Sequence, residues 1–138
     1  MNVLVDTSIW SIAYRRAEID LSVIEKRLKA ELAELIREGR VRVIGPVCQE
    51  LLSGIKTPSK FEMIRTDLRS FDEKRLSLYD FERAAEISNL LKTKGVADTP
   101  TDCLICAVAI DHDLAVFTTD EDFRHFAKHI NLRLHAAR

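Results

Sequence analysis

Four acidic residues, Asp6, Glu50, Asp102 and Asp120, occupy comparable places in the chain, each where an apolar run gives way to a helix or about one turn inside that helix. Carboxylates gathered together do chemistry that none does alone. A pair about 5 Å apart repels by roughly 3 kcal/mol at an effective dielectric near 20, so four in one place must take up protons or bind a cation. With no histidine or thiolate among them, the donor set suits the hard ions Mg²⁺ and Mn²⁺ rather than zinc. Such ions contact a phosphate, acidify water and stabilise a leaving oxygen. The corresponding reaction is phosphodiester hydrolysis. Thr7, Ser8 and Thr118 lie beside these acids in the chain, where their hydroxyls can orient a carboxylate or a water, and Asp122 follows Asp120 by two positions.

Each of these residues also has a purely structural reading. Asp6 can cap the first helix, Asp102 follows Thr99 by three residues as in a capping box, and Asp120 to Asp122 complement a helix dipole. Glu50 can be an exposed flank residue, and the hydroxyls can simply cap backbone. What separates the readings is whether the fold brings the acids together, and that depends on the elements around them.

Asn2 to Val5 is an apolar run ending at Asp6-Thr7-Ser8, a strand that runs straight into a helix. Leu21, Ile24, Leu28, Leu32 and Leu35 recur at helical spacing and predict a helix over Leu21 to Glu38, with Gly39 at its end. Val41 to Ile44 predicts a second strand, and Pro46 opens a helix with Val47, Cys48, Leu51 and Leu52 inward and Gly54 at its close. A helix is expected over Pro58 to Ser70, with Phe61, Ile64, Leu68 and Phe71 on one side. A weak strand is expected at Arg75 to Leu78, followed by a helix capped by Asp80 whose inner face is Phe81, Ala84, Ile87 and Leu91. Thr99-Pro100 starts another helix. The run Cys103 to Ile110 is apolar all round, so periodicity alone leaves strand and helix open; its alanines and leading cap favour helix. Leu114 to Thr118 predicts a strand, Asp120 to Ile130 a helix and Asn131 to Leu134 a last strand. Strands alternating with helices give a mainly parallel sheet covered on both faces, a three-layer α/β/α sandwich. Such sheets bind ligands beyond the carboxyl ends of their strands. Asp6, Asp102 and Asp120 would meet at that rim, with Glu50 leaning towards it.

The bulk properties narrow the function classes. A chain of 138 residues is long enough for one domain, here residues 1–138, to bury a core without disulfides. With 21 basic and 22 acidic residues the net charge is -1, so no global field draws the protein to nucleic acid and any such affinity must be local. Lys56, Lys60, Arg65, Arg69, Lys92 and Lys94 are the candidate phosphate contacts, although a charged helical face is ordinarily just solvated. Three cysteines in apolar surroundings indicate free thiols and a reducing compartment. No leader-like start or membrane-length apolar run is present, and the expected location is the cytoplasm. Cys103 and Cys106 have CxxC spacing without a second pair, which reads as helix packing. His112, His125, His129 and His135 are expected on solvated surfaces. Trp10 and Tyr14, one turn apart beside Arg15 and Arg16, suit core packing, a protein interface or contact with RNA bases and phosphates.

Three segments, LVDTSIW at Leu4 to Trp10, PVCQELLSG at Pro46 to Gly54 and TDCLICAVAIDHDLAVFTTDEDF at Thr101 to Phe123, strongly resemble the PIN-domain ribonucleases and, within them, the VapC-type toxins of toxin-antitoxin modules. The order and spacing of the segments carry the match over nearly the whole chain. The resemblance implies a metal-dependent endoribonuclease that uses Mg²⁺, with Mn²⁺ as a substitute, and is usually a homodimer inhibited by a cognate antitoxin. It places Asp6, Glu50, Asp102 and Asp120 at the family's first to fourth acids, Asp122 at a more variable one, and Thr118 where a hydroxyl is frequent. Cys106 departs from the more usual alanine, which is a packing change.

Two other classes stand beside this one. A phosphoacceptor domain also gathers acids on a parallel sheet, but it wants paired acids after the first strand and a lysine after a late one; here Asp6 is single and no lysine stands near Thr118. A haloacid-type phosphatase is disfavoured by Ser8 where a second aspartate belongs. A non-catalytic binding module could keep the fold without the chemistry, although the four acids are intact.

Overall fold

A computed structural model describes residues 1–138. Its centre is a four-stranded sheet formed by β1 (Val3–Val5), β2 (Val41–Val43), β3 (Asp72–Glu73) and β4 (Ala115–Phe117), in the order β3-β2-β1-β4. Every pairing is parallel, with Val3 opposite both Val41 and Ala115, and Arg42 opposite Asp72. The helices are α1 (Thr7–Tyr14), α2 (Val23–Arg37), α3 (Gly45–Leu52), α4 (Pro58–Arg69), α5 (Leu78–Thr93), α6 (Pro100–Asp111) and α7 (Asp122–Phe126), flanking the sheet in the α/β/α arrangement expected. No helix is long and apolar enough to cross a membrane.

β1 and β4 are buried along their whole length, as continuous apolar strands in a covered parallel sheet should be. The uniformly apolar run before β4 is helical: every residue from Cys103 to Ala109 is buried, because α6 packs against both α5 and β4 and has no solvated side. α1 packs against α2 and α3. All three prolines lie in first turns, and Gly39, Gly54 and Gly95 follow helices with positive φ, a conformation costly to a side chain.

Several elements differ from expectation. The edge strand is Asp72–Glu73 rather than Arg75 to Leu78; both residues are exposed, so the element is set by hydrogen bonding to β2 and leaves no apolar trace. α5 consequently starts at Leu78 after Ser77, and Asp80 sits inside its first turn. The last helix shortens to Asp122–Phe126, and the expected final strand reduces to one parallel bridge between Leu134 and Val116. Ile24 and Phe81, assigned to inner faces, are exposed. Trp10 is fully buried and packs on Phe71, and the Tyr14 hydroxyl donates to Asp67 at 2.9 Å, so this aromatic pair belongs to the core.

Of the four histidines, His112, His125 and His129 are exposed as expected, and His135 is half-buried. His112 contacts buried Asp80 at 3.4 Å, and His135 lies 3.0 Å from buried Glu31. Arg138 also donates to Glu31 from its guanidinium and backbone N–H, fastening the C-terminal segment to α2. Burial alone would raise the Glu31 carboxyl, but these donors outweigh it and hold the pKa at about 2.

Candidate active site

The site begins with strand register. Because Val5 pairs with Phe117, the residues that follow, Asp6 and Thr118, emerge side by side at the carboxyl edge of the sheet, and the Asp6 N–H extends the ladder to the Phe117 carbonyl at 2.9 Å. Asp6 caps α1 and is 7% exposed. Its Oδ2 accepts from the Ser8 hydroxyl at 2.8 Å, the Thr118 hydroxyl at 2.8 Å and, more weakly, the Ser8 N–H at 3.4 Å. Its Oδ1 has no protein donor.

The same division recurs at two other acids. Asp120 Oδ1 accepts the Asp122 N–H at 2.9 Å, while Asp120's own N–H donates to Thr118 Oγ1 at 3.0 Å. Glu50 Oε1 accepts the Thr7 hydroxyl at 3.0 Å. In each of these residues one oxygen is held by the fold and the other is free. The capping and functional readings are therefore compatible: the local hydrogen bond fixes a carboxylate whose second oxygen remains available for a ligand.

Asp102 differs from a look-alike elsewhere in the chain. Asp80 and Asp102 both lie three residues after a hydroxyl residue at a helix start. The Asp80 carboxylate reaches back to the Ser77 N–H at 2.8 Å and hydroxyl at 3.2 Å, and is buried. At Asp102 only the backbone is capped, by Thr99 Oγ1 at 3.2 Å, with no reciprocal bond to the carboxylate. Asp102 is left with its charge facing other acids. Burial, opposed by the Thr99 hydroxyl and reinforced by the charges of Asp6, Asp120 and Glu50, pushes its pKa up to about 6.

Oxygens of Asp102, Asp120 and Asp122 lie within 4.8 Å of one another. This set is narrower at one end and wider at the other than the four acids singled out in the sequence. Asp122, a supporting candidate, joins Asp102 and Asp120; Asp6 and Glu50 stand outside that spacing while their charges act on Asp102. An all-carboxylate donor set with unengaged oxygens fits a hard divalent cation, and the nearest nitrogen or sulfur ligands are missing from the group.

Comparison with known proteins shows the family. The family profile described as PIN domain matches residues 3–129. The chain belongs to the PIN-domain family. Ribonuclease VapC11 of Mycobacterium tuberculosis is 32% identical over 136 residues, covering 95% of this chain and 96% of that protein. Among solved structures, FitAcB from Neisseria gonorrhoeae superposes with a TM-score of 0.74 at 22% identity, covering 98% of this chain and 97% of that one. A toxin-antitoxin complex from Klebsiella pneumoniae gives 0.67 at 21% identity, with 88% and 90% covered. At these identities the structural likeness concerns the fold.

In this PIN domain one residue beside the acids has a role that the sequence did not suggest. Arg15, just past α1, donates from Nε to the Leu51 carbonyl and from Nη2 to the carbonyls of Glu50, Leu51 and Ser53. It caps the C-terminal end of α3, the helix that carries Glu50, while Thr7 at the other end of α1 holds the Glu50 side chain. Nothing local in the sequence marks such a contact across 36 residues. Arg16, its neighbour, pairs instead with Glu25.

Proposed function

We propose that this PIN domain is a metal-dependent endoribonuclease that hydrolyses RNA phosphodiester bonds as the toxin of a toxin-antitoxin pair. The observation that carries the reading is the convergence of Asp102, Asp120 and Asp122 on one point, with Asp6 and Glu50 bordering it. The VapC ribonuclease relative supplies the substrate class, and the toxin-antitoxin complex of like fold supplies the partner class. The working protein is a cytoplasmic homodimer, one domain per chain, held inactive by a cognate antitoxin.

Asp102, Asp120 and Asp122, with Asp6 and Glu50 directly or through water, would hold Mg²⁺, with Mn²⁺ as a substitute. Once bound, such a cation offsets the phosphate charge and acidifies an attacking water. The chain's own residues prepare the place. Asp6 and Asp120 are locked in orientation by Thr118, Ser8 and backbone donors, which limits reorganisation during the reaction. Burial first, and then the charges of Asp6, Asp120 and Glu50, make the Asp102 carboxylate costly to ionise, a cost that a bound cation would offset.

The test is incubation of the purified chain with RNA in Mg²⁺, Mn²⁺ or EDTA, with mapping of new 5′ ends, repeated after co-expression with the product of an adjacent gene. Cleavage that needs metal and disappears with the partner is the expected result. A folded protein that cuts no RNA with either ion and shows no saturable Mn²⁺ heat in calorimetry would refute the reading.

A further inference from the structure

The acidic rim lies between two depressions of opposite chemistry. On one side is a groove of about 610 Å³ with Ile12, Ile24, Leu28 and Leu134 in its walls, and its two arginines are already neutralised, Arg16 by Glu25 and Arg124 by Glu121. On the other side, Glu50 and Thr101 border a depression of about 410 Å³ with no hydrophobic residue in its lining. Its walls at Arg15 and Ser53 are shared with a second depression of about 330 Å³, which reaches Lys56 and Lys60. Glu50 is the one carboxylate lining this double hollow. Neither lysine has an acidic partner, and Arg15 is engaged by carbonyls rather than by a carboxylate, so all three cations keep their charge unneutralised.

We propose that this shelf is the track for the sugar-phosphate backbone of single-stranded RNA on one side of the bond to be cut, with the ammonium groups of Lys56 and Lys60 on its phosphates. The inference rests on the ribonuclease reading and adds a direction to it. A rim of acids repels a polyanion, and a chain of net charge -1 offers no compensating field, so local cations must supply the attraction. Among the six basic residues singled out in the sequence, only Lys56 and Lys60 line the shelf. Arg65 is paired with Glu62, and Arg69 lines a separate hollow near Phe71. No aromatic side chain lines either depression, so the shelf offers hydroxyls, an amide and cations to phosphate and sugar rather than a surface for stacked bases. Contact there is independent of sequence.

The experiment measures binding apart from cleavage. In an Asp120→Asn background, fluorescence anisotropy of a labelled mixed-sequence single-stranded RNA oligonucleotide is followed across a salt series for the parent, for Lys56→Ala/Lys60→Ala and for Arg124→Ala. Loss of two phosphate contacts should weaken binding about tenfold near 0.1 M salt and flatten the slope of log K against log salt by about 1.4, at roughly 0.7 per contact on a single strand. Arg124→Ala, on the apolar groove, should change affinity by less than about twofold. In the otherwise unaltered enzyme the paired lysine substitutions should raise KM and spare kcat. An unchanged slope in the lysine variant, an equal loss in Arg124→Ala, or no RNA binding by the parent would each overturn the assignment. Absent metal-dependent cleavage by the wild-type protein, with the salt behaviour intact, would instead count against the ribonuclease reading.

Discussion

Thr118 Oγ1 donates to Asp6 Oδ2 at 2.8 Å, and the two residues follow neighbouring parallel strands although 112 positions separate them in the chain. The same hydroxyl oxygen receives the Asp120 N–H at 3.0 Å, so one threonine orients two acids.

Thr118→Val keeps the side chain's shape and removes both bonds. Asp6 retains its Ser8 donors, which predicts a folded protein with misoriented acids. Cleavage should fall about 10- to 100-fold, the usual effect of losing a group that orients a ligand, with kcat changing more than KM. Thr118→Ser should recover most of it. Steady-state kinetics on a defined RNA in Mg²⁺ decides the matter; a valine variant with wild-type kcat would remove Thr118 from the site.

Asp102→Asn separates function from stability. The carboxylate is held near other acids with no reciprocal cap, so neutralising it should relieve repulsion in metal-free protein. A gain of about 1 kcal/mol corresponds to a Tm increase of roughly 3 to 5 °C in a domain of this size. RNA cleavage should drop at least about 100-fold. Mn²⁺ should stabilise the wild-type protein and leave the variant's melting unchanged. A variant that melts below the wild type in EDTA would show that Asp102 is a structural cap after all.

The contrast between Asp102 and Asp80 also shows where the sequence stops being readable. Both follow a hydroxyl residue by three positions, and only the folded structure reveals that one carboxylate completes its cap while the other is left facing Asp6 and Asp120. β1, β4 and α6 were legible because their burial on all sides leaves uninterrupted apolar runs between caps. β3 was not, since Asp72 and Glu73 are exposed and its place is dictated by β2. Asp6 and Asp120 could be expected at one rim from the ends of β1 and β4, and Asp102 from the start of α6. The closer association of Asp122 with Asp102 and Asp120 depends on how the turn after β4 folds back, with the Asp122 N–H on Asp120. Glu31 carries no local signal of its role, because its partners lie more than 100 residues away.

Arg15 tests whether the position of Glu50 matters. Its guanidinium grips carbonyls at the end of α3, and bonds to a charged donor are worth roughly 1.5 to 3 kcal/mol each when intact, less at an exposed position. Arg15→Met should lower stability by about 1 to 2 kcal/mol in urea denaturation and reduce kcat severalfold. Arg15→Lys, which lacks the fork, should restore little. If the arginine acts through Glu50, then in a Glu50→Gln background the methionine substitution should cost no further activity, although it still costs stability. Additive activity losses in that double-mutant cycle would place its role elsewhere.

Glu31 gives a pH dependence remote from the acidic rim. The carboxylate is 5% exposed and is bonded by Arg138 and His135, and its pKa lies at about 2 against an ordinary 4.5. A lowered carboxyl pKa contributes stability that is fully present above the unfolded value and is lost as pH falls through the folded one. The window therefore runs from about pH 4.5 down to about pH 2. Glu31→Gln should cost about 2 kcal/mol at pH 7, below the 3 to 5 kcal/mol typical of a broken buried pair because the Arg138 side chain is half exposed. Urea midpoints for wild type and variant should converge as the pH falls through that window, since protonation of Glu31 does in the wild type what the substitution does in the variant. His125 and His129 are exposed and face none of these groups, so substituting them should leave the profile unchanged. A gap between wild type and Glu31→Gln that stays constant from pH 7 to below 3 would mean that packing of the C-terminal segment, rather than the carboxylate charge, holds it to α2.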